Sequence, residues 1–323
     1  MTHFEPAYIK TYETGSLNKK IEKAYQALKN CRLCPRKCGV DRTAGKTGIC
    51  LTGEKAVVCS FNAHFGEESP LVGTNGSGTI FFTYCNLMCN FCQNYEISHG
   101  GEGEPVVPEQ IARMMLILQK QGCHNINFVS PSHVVPQILA AVGVAIENGL
   151  SVPLVYNTSA YDKVETLKLL EGVVDIYMPD FKFQDPEIAE STCKAKDYPE
   201  YAQNALVEMH RQVGDLITDP LMDESGIAQR GLIIRHLVLP NRLAGTREAM
   251  TFIAEKVSID SYVNIMPQYR PCGLAHETKG MNRAITEEEF ETAVREASSA
   301  GIHRFDNREF RGQYIYFDRK CLE

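Results

Sequence analysis

Residues 78–92, GTIFFTYCNLMCNFC, constrain this chain more than any other stretch. Gly78-Thr79-Ile80-Phe81-Phe82-Thr83-Tyr84 reads as one short buried strand, β-branched and aromatic. It runs straight into Cys85, Cys89 and Cys92, with three and then two residues between them. Cysteines at that spacing, in a loop leaving a strand, can converge on one metal centre. An iron–sulfur cube normally takes four thiolates, so three leave one iron open. Open coordination marks a site of chemistry rather than one that only holds structure. The competing readings are three buried thiols or a zinc knuckle, but zinc asks for four closed ligands with CxxC pairs.

A chain of 323 residues can bury a barrel-sized core with an extension. Its apolar runs are strand-length, and MTHFEPAYIK at the start has no apolar signal core, so neither a membrane nor export is expected. The net charge of −7, with basic residues spread along the chain, gives no electrostatic case for nucleic acid. Twelve cysteines without an export signal point to metal binding in a reducing cytoplasm rather than to disulfides.

Residues 1–77 read as an N-terminal extension and 78–323 as the main domain. The chain begins irregular around Pro6 and Gly15, then Leu17, Ile21, Ala24, Tyr25 and Leu28 fall at helical spacing. That helix leads to Cys31, Cys34, Cys38 and, after eleven residues, Cys50, in a segment rich in Gly, Lys and Arg. Such a loop has little core of its own and needs an ion to hold it. Four thiolates could enclose zinc or a closed iron–sulfur cluster, and spacing does not decide between them; Cys59 could substitute for one ligand. Ala56 to Phe61 and Leu71-Val72 read as strands or extended segments, and His64 stays unassigned.

From residue 78 strand and helix signals alternate. Strands are expected at 78–84, 125–130, 152–158, 174–183, 232–239 and 262–269. Helices are expected at 108–121, 134–148, 161–171, 186–217 in pieces, 246–256 and 286–300. Near-continuous apolar runs such as Leu232 to Leu239 suit a parallel sheet buried on both faces. The fold class is therefore α/β, a partial (β/α)6 barrel, open because six units do not close an eight-stranded one.

The CxxxCxxC spacing of Cys85, Cys89 and Cys92 resembles the signature of the radical S-adenosylmethionine (SAM) superfamily, which has this partial-barrel architecture. The resemblance implies a [4Fe-4S] cluster whose open iron is chelated by SAM, reductive cleavage of SAM to a 5′-deoxyadenosyl radical, and an electron donor of flavodoxin or ferredoxin type. Phe91 matches the position that packs near the adenine. Where glycyl-radical-enzyme activases carry Gly-Gly-Glu, the second strand here ends Ser130-Pro131-Ser132-His133. The Ser130 carbonyl and Ser132 hydroxyl could still accept from the SAM ammonium. The literal Gly100-Gly101-Glu102 precedes the first helix and reads as a decoy.

Asp180-Phe181-Lys182 resembles the Asp-x-Lys motif of pyruvate formate-lyase activating enzyme, with Asn157 where an acidic partner would stand. A Lys beside an Asp at the end of an apolar strand is costly unless it meets an anion; a strand-end salt bridge is the plainer alternative. Arg235 matches the family's SAM-carboxylate arginine, and His236, pointing the other way, reads as a core histidine. Cys272 is a candidate hydrogen donor, and Tyr269 and Arg270 are candidate substrate contacts. Cys123, Cys193 and Cys321 read as incidental. As a whole the chain resembles the PflX-like relatives of the activating enzyme, which implies an enzyme acting on a protein, such as a glycyl-radical partner, or on a small molecule. The non-catalytic rival is an iron–sulfur electron carrier or sensor.

Overall fold

The structure, a computed structural model, describes residues 4–219 and 226–306, so Cys321 lies outside the described residues. Two helices open it, α1 (Ala7–Glu13) and α2 (Ser16–Gln26), separated by Gly15 in the left-handed region. The start is thus helical where the sequence reads as irregular. Tertiary contacts hold α1: Tyr8 is fully buried and its hydroxyl donates to Val152 O at 2.9 Å. After the cysteine loop come β1 (Ala56–His64), α3 (Ser69–Val72), β2 (Ser77–Phe82), α4 (Tyr95–Ser98) and β3 (Glu104–Val106). The expected extended Leu71-Val72 is the end of α3, where Pro70 favours the first helical turn.

The remainder alternates: α5 (Pro108–Lys120), β4 (Ile126–Val129), α6 (Val135–Glu147), β5 (Leu154–Thr158), α7 (Val164–Leu170) and β6 (Ile176–Pro179). Then follow α8 (Pro186–Cys193), α9 (Tyr198–Val213), β7 (Ile217–Asp219), β8 (Ile227–Leu237), α10 (Thr246–Phe252), β9 (Tyr262–Met266), α11 (Glu287–Ser299) and β10 (Arg304–Phe305). The sheet order is β10-β9-β8-β6-β5-β4-β2-β1-β3, with β7 against β8. From β2 to β10 this path is parallel, and the six expected strands lie along it. β1 and β3 extend it antiparallel beyond β2. The sheet stays open, the partial barrel expected. β6 stops at Pro179, short of the expected 183, although Asp180 N still donates to Thr158 O and Phe181 N to Arg235 O, each at 2.8 Å.

Strand alternation separates two apolar layers. Tyr156, Tyr177, Leu232 and Ile234 join the main core, while Val155, Ile176, Met178 and Ile233 form a small cluster with Leu71 and Leu216. Parallel register puts Asn157 beside Met178, then Asp180 beside Arg235 and Arg235 beside Asn264. The second layer therefore turns from apolar to polar where the strands end.

Asp175, fully buried just before β6, accepts from Ala7 N at 2.8 Å and Leu154 N at 3.0 Å and so ties α1 to the sheet. Burial pushes its carboxyl up to about 7, against the two amide donors and Arg230. A carboxyl raised on folding keeps its proton after the unfolded chain has lost it. Its contribution to stability is full below the unfolded value near 4 and is lost as pH rises toward 7, by up to about 1.4 kcal/mol per pH unit. The fall in denaturation midpoint across that window should be smaller in Asp175→Asn than in the parent chain, as urea titrations at several pH values would show.

Candidate active site

β2 delivers the chain to Cys85 through a turn that needs unusual backbone. Tyr84 and Met88 have φ of 69° and 56°, the left-handed region, which costs non-glycine residues about 1–2 kcal/mol each. Such strain persists only where the surroundings over-determine it. Tyr84 N donates to Ile97 O at 3.0 Å, Asn86 Nδ2 to Tyr161 O at 2.6 Å, and Asn90 N to Thr192 O at 2.9 Å. Asn90 Nδ2 reaches Thr278 Oγ1 at 2.8 Å. Arg36 crosses from the N-terminal loop and donates to Asn86 O at 3.0 Å, Leu87 O at 2.9 Å and Cys193 O at 2.7 Å, and also to Lys194 O.

The three thiols lie near one another, Cys89 buried and Cys85 and Cys92 half-buried. Burial, reinforced by Cys89 and Cys92, pushes Cys85 up to about 12. Cys89 is raised first by a hydrogen bond with Cys193 and then by burial. Cys92 is raised by burial and then by Cys89. Lys182 is the cation that opposes this at both Cys89 and Cys92. As free thiols these groups stay protonated at neutral pH; a bound metal ionises such a ligand outright. Among the described residues no three His, Cys, Asp or Glu side chains are grouped as ligands of a single ion. The donor set, three soft thiols beside a lysine, fits an iron–sulfur cube, with Cys85, Cys89 and Cys92 the residues that would hold it.

Beside the trio lies the polar layer of the strand ends. Asp180 Oδ2 takes Lys182 Nζ at 2.6 Å, and its Oδ1 takes Arg235 Nε at 2.6 Å. Arg235 Nη2 donates to Asn157 Oδ1 at 2.6 Å, while Nη1 lies 3.5 Å from Glu67 Oε2 and 3.9 Å from Glu68 Oε2. Burial works to raise the Asp180 carboxyl, but Arg235 and Lys182 outweigh it and hold it below the ordinary value. Burial likewise opposes the charge on Lys182, and Asp180 more than restores it. Asn157, Asp180, Lys182 and Arg235 thus form one ionic network. Glu67, Glu68 and Asn264 join it, with Asn264 Nδ2 donating to Glu68 Oε1 at 2.7 Å. Sequence reasoning missed these three; the cue for Asn264 is its place in the same row as Arg235. Tyr198 fixes the turn between Asp180 and Lys182, its hydroxyl accepting from Lys182 N at 2.9 Å and lying 2.8 Å from Asp180 O.

The other expected residues lie apart from this network. Ser130 has φ 58°, and its N–H donates to Asn157 O at 3.0 Å. Ser132 is buried, its hydroxyl 3.0 Å from Thr158 Oγ1, which bonds Asp162. Phe91 packs against Phe183 and Tyr269, with ring centroids 5.8 and 6.2 Å away. Cys272 stands near Cys92 in a loop fixed to the cysteine turn by Leu274 N donating to Asn90 O at 2.7 Å. His236 is buried between Phe181 O at 2.7 Å and Thr246 Oγ1 at 3.0 Å. Gly101, with φ 79°, lies against Tyr84, where an added Cβ would come within 2.8 Å of its hydroxyl.

Cys31, Cys34, Cys38 and Cys50 line one small cavity with Arg42, Gly48 and His133, away from Cys59 on β1. Burial pushes Cys34 up to about 12 and raises Cys50. His133 is held near 4, and therefore neutral, by burial and then by Arg42.

An open parallel sheet with a strained three-cysteine loop at its strand ends defines the partial-barrel class. The Radical SAM superfamily model matches residues 79–219. An uncharacterized protein of Methanocaldococcus jannaschii, MJ0674, is 34% identical over 287 residues, covering 86% of this chain and 77% of that protein. Residues 79–219 thus form a radical SAM superfamily domain, of a family that uses a [4Fe-4S] cluster and SAM. Among solved structures, HydG, a maturase of [FeFe]-hydrogenase, is 15% identical with a TM-score of 0.49 over 71% of this chain. This chain spans 50% of the HydG chain. A domain of pyruvate-formate lyase-activating enzyme from Bacteroides vulgatus is 12% identical with a TM-score of 0.34, covering 61% of this chain and 89% of that one. No functional statement follows from likenesses this distant.

Asp180 is the shared counter-ion of two buried cations. Asp180→Ala should destabilise the fold by about 3–5 kcal/mol, measured by urea denaturation, whereas Lys182→Ala, which leaves Asp180 its arginine, should cost less.

Proposed function

We propose that this is a radical SAM enzyme of the PflX-like branch that uses Cys85, Cys89 and Cys92 to hold its cluster and the strand-end network to hold SAM. The observation that carries this is the ionic layer beside the three thiols: Asp180, Glu67 and Glu68 against Lys182 and Arg235 leave one uncompensated negative charge. SAM carries two positive groups and one negative, and its net positive charge suits a layer with an excess of carboxylates. When bound, the cluster supplies one electron and SAM the carbon radical that takes hydrogen from an unactivated C–H.

The chain's own part is binding and orientation. Lys182, beside Cys89 and Cys92, is placed to meet a carboxylate at the trio. Arg235 is oriented for the same group but answers Asp180 first. The Ser130 carbonyl and Asn157 are acceptors for an ammonium, and Ser132 supports them through Thr158. Phe91, with Phe183 and Tyr269, gives an apolar wall that excludes water near the thiols. Cys272, whose thiol feels the charge of Cys92, is in this reading the group that returns a hydrogen atom to a substrate radical. The reading extends to a flavodoxin- or ferredoxin-type donor, a protein or small-molecule substrate, and a cytoplasmic setting. Every described cysteine is a free thiol, which supports a reducing compartment, and among the described residues no helix is long and apolar enough to cross a membrane. It also gives the Cys31, Cys34, Cys38 and Cys50 loop a metal, zinc or an auxiliary iron–sulfur cluster.

The test is anaerobic reconstitution with iron and sulfide, followed by dithionite and SAM. The expected products are 5′-deoxyadenosine and methionine, with none above background from Cys89→Ser. A fully loaded protein that leaves SAM intact would instead be a carrier or sensor. Deuterium passing into deoxyadenosine from labelled candidates would identify the substrate.

A further inference from the structure

Arg42 is the largest fully buried side chain of the described residues, 1% exposed. A guanidinium keeps its charge at any physiological pH. Here Nε donates to Gly53 O at 2.8 Å and Nη1 to His133 O at 2.7 Å, with Cys31 Sγ 3.9 Å away. Nη2 has no partner. Two carbonyls and a thiol satisfy hydrogen bonds but supply no negative charge, and an uncompensated buried ion costs several kcal/mol. What surrounds the guanidinium instead is the cavity lined by Cys31, Cys34, Cys38 and Cys50.

Neutral thiols would leave the charge unanswered. Four thiolates around zinc, or around a closed iron–sulfur cube, carry a net double negative charge in either case. The cavity is also kept clear for sulfur: a Cβ on Gly48 would come within 2.6 Å of Cys38 Sγ. We infer that Arg42 is the counter-charge of a thiolate-ligated, net-negative metal centre enclosed by Cys31, Cys34, Cys38 and Cys50. This rests on the reading that these cysteines hold metal, and adds what neutralises it and what it clasps.

The clasp reaches the catalytic loop from two sides. His133, whose carbonyl takes Arg42, lies 3.0 Å through Nε2 from Thr83 O, two residues before Cys85. Arg36, two residues after Cys34, donates to the carbonyls of Asn86 and Leu87 between Cys85 and Cys89. Ordering the four-cysteine loop therefore orders the donors that seat the three-cysteine loop.

The test uses the full chain with Cys85, Cys89 and Cys92 all changed to Ala, purified and reconstituted anaerobically with iron and sulfide. Metal analysis should find about one zinc or about four irons per chain, lost when Cys34→Ala is added; absorption and Mössbauer spectra tell the two apart. In the parent chain the same metal should appear on top of the first cluster. A folded, metal-free triple variant would overturn both the metal reading and the role of Arg42. Arg42→Leu and Arg42→Gln are then compared with Arg42→Lys for metal release to a chelator. Loss of the charge should speed release about 10- to 100-fold, as loss of an outer partner does, while Lys stays near the parent rate. The Gln variant retains hydrogen bonding if Leu does not fold. Equal release from Gln and Lys would overturn the role of Arg42 and leave the metal site standing.

Discussion

The contact between Asp180 and its two cations, Lys182 and Arg235, is the interaction on which the strand ends depend. Each is held at 2.6 Å, and all three side chains are withdrawn from water. Taking one such charge out of water alone is prohibitive, and a pair repays the cost only with close geometry and further hydrogen bonds. Those further bonds explain the neighbours. Asn157 takes a second donor of Arg235, Glu67 and Glu68 share its remaining charge, and Tyr198 fixes the backbone between Asp180 and Lys182. Asp180 follows Pro179 directly, and the backbone stays paired beyond it: Asp180 N donates to Thr158 O and Phe181 N to Arg235 O, each at 2.8 Å.

The cysteine loop obeys a different constraint. Tyr84 and Met88 hold left-handed backbone that neither would choose alone. What keeps them there is a ring of donors and acceptors from distant chain: Arg36, Tyr161, Thr192 and Thr278. Asn86 and Asn90, the polar residues among the cysteines, are used for this anchoring rather than for solvent contact. A loop fixed by side chains that far apart in sequence is rigid only in the completed fold, which brings Cys89 and Cys92 beside Lys182.

The strand and helix alternation was legible because parallel strands are continuous apolar runs and the helices carry a 3.6-residue stripe, as in α5, where Ile111, Met115 and Leu118 are buried. All six expected strands appear with shifted ends, β8 beginning at Ile227 rather than at 232. The pairing of Asp180 with Lys182 was legible because both follow one strand. Helix α1 was not, since its order comes from Asp175 and Val152, contacts more than a hundred residues away in sequence. Glu67 and Glu68 were equally silent: they sit outside the alternating units and reach Arg235 only because α3 turns its Leu71 into the small apolar cluster. Cys193 read as incidental because nothing near it in sequence binds metal, yet the end of α8 brings it to Cys89. Periodicity reports local elements; it carries no record of which ends meet.

Arg42 and Arg235 make the same physical point with opposite solutions. Both are arginines withdrawn from water. Arg235 is answered by carboxylates of its own chain. Arg42 meets carbonyls and cysteine sulfur alone, in a loop of Gly, Lys and Arg with little apolar surface to bury. A chain that pairs Arg235 with carboxylates at its strand ends is capable of placing an acid beside an arginine. Where it places four cysteines instead, the missing negative charge has to arrive with what those cysteines bind, and the order of the N-terminal loop then follows from that binding.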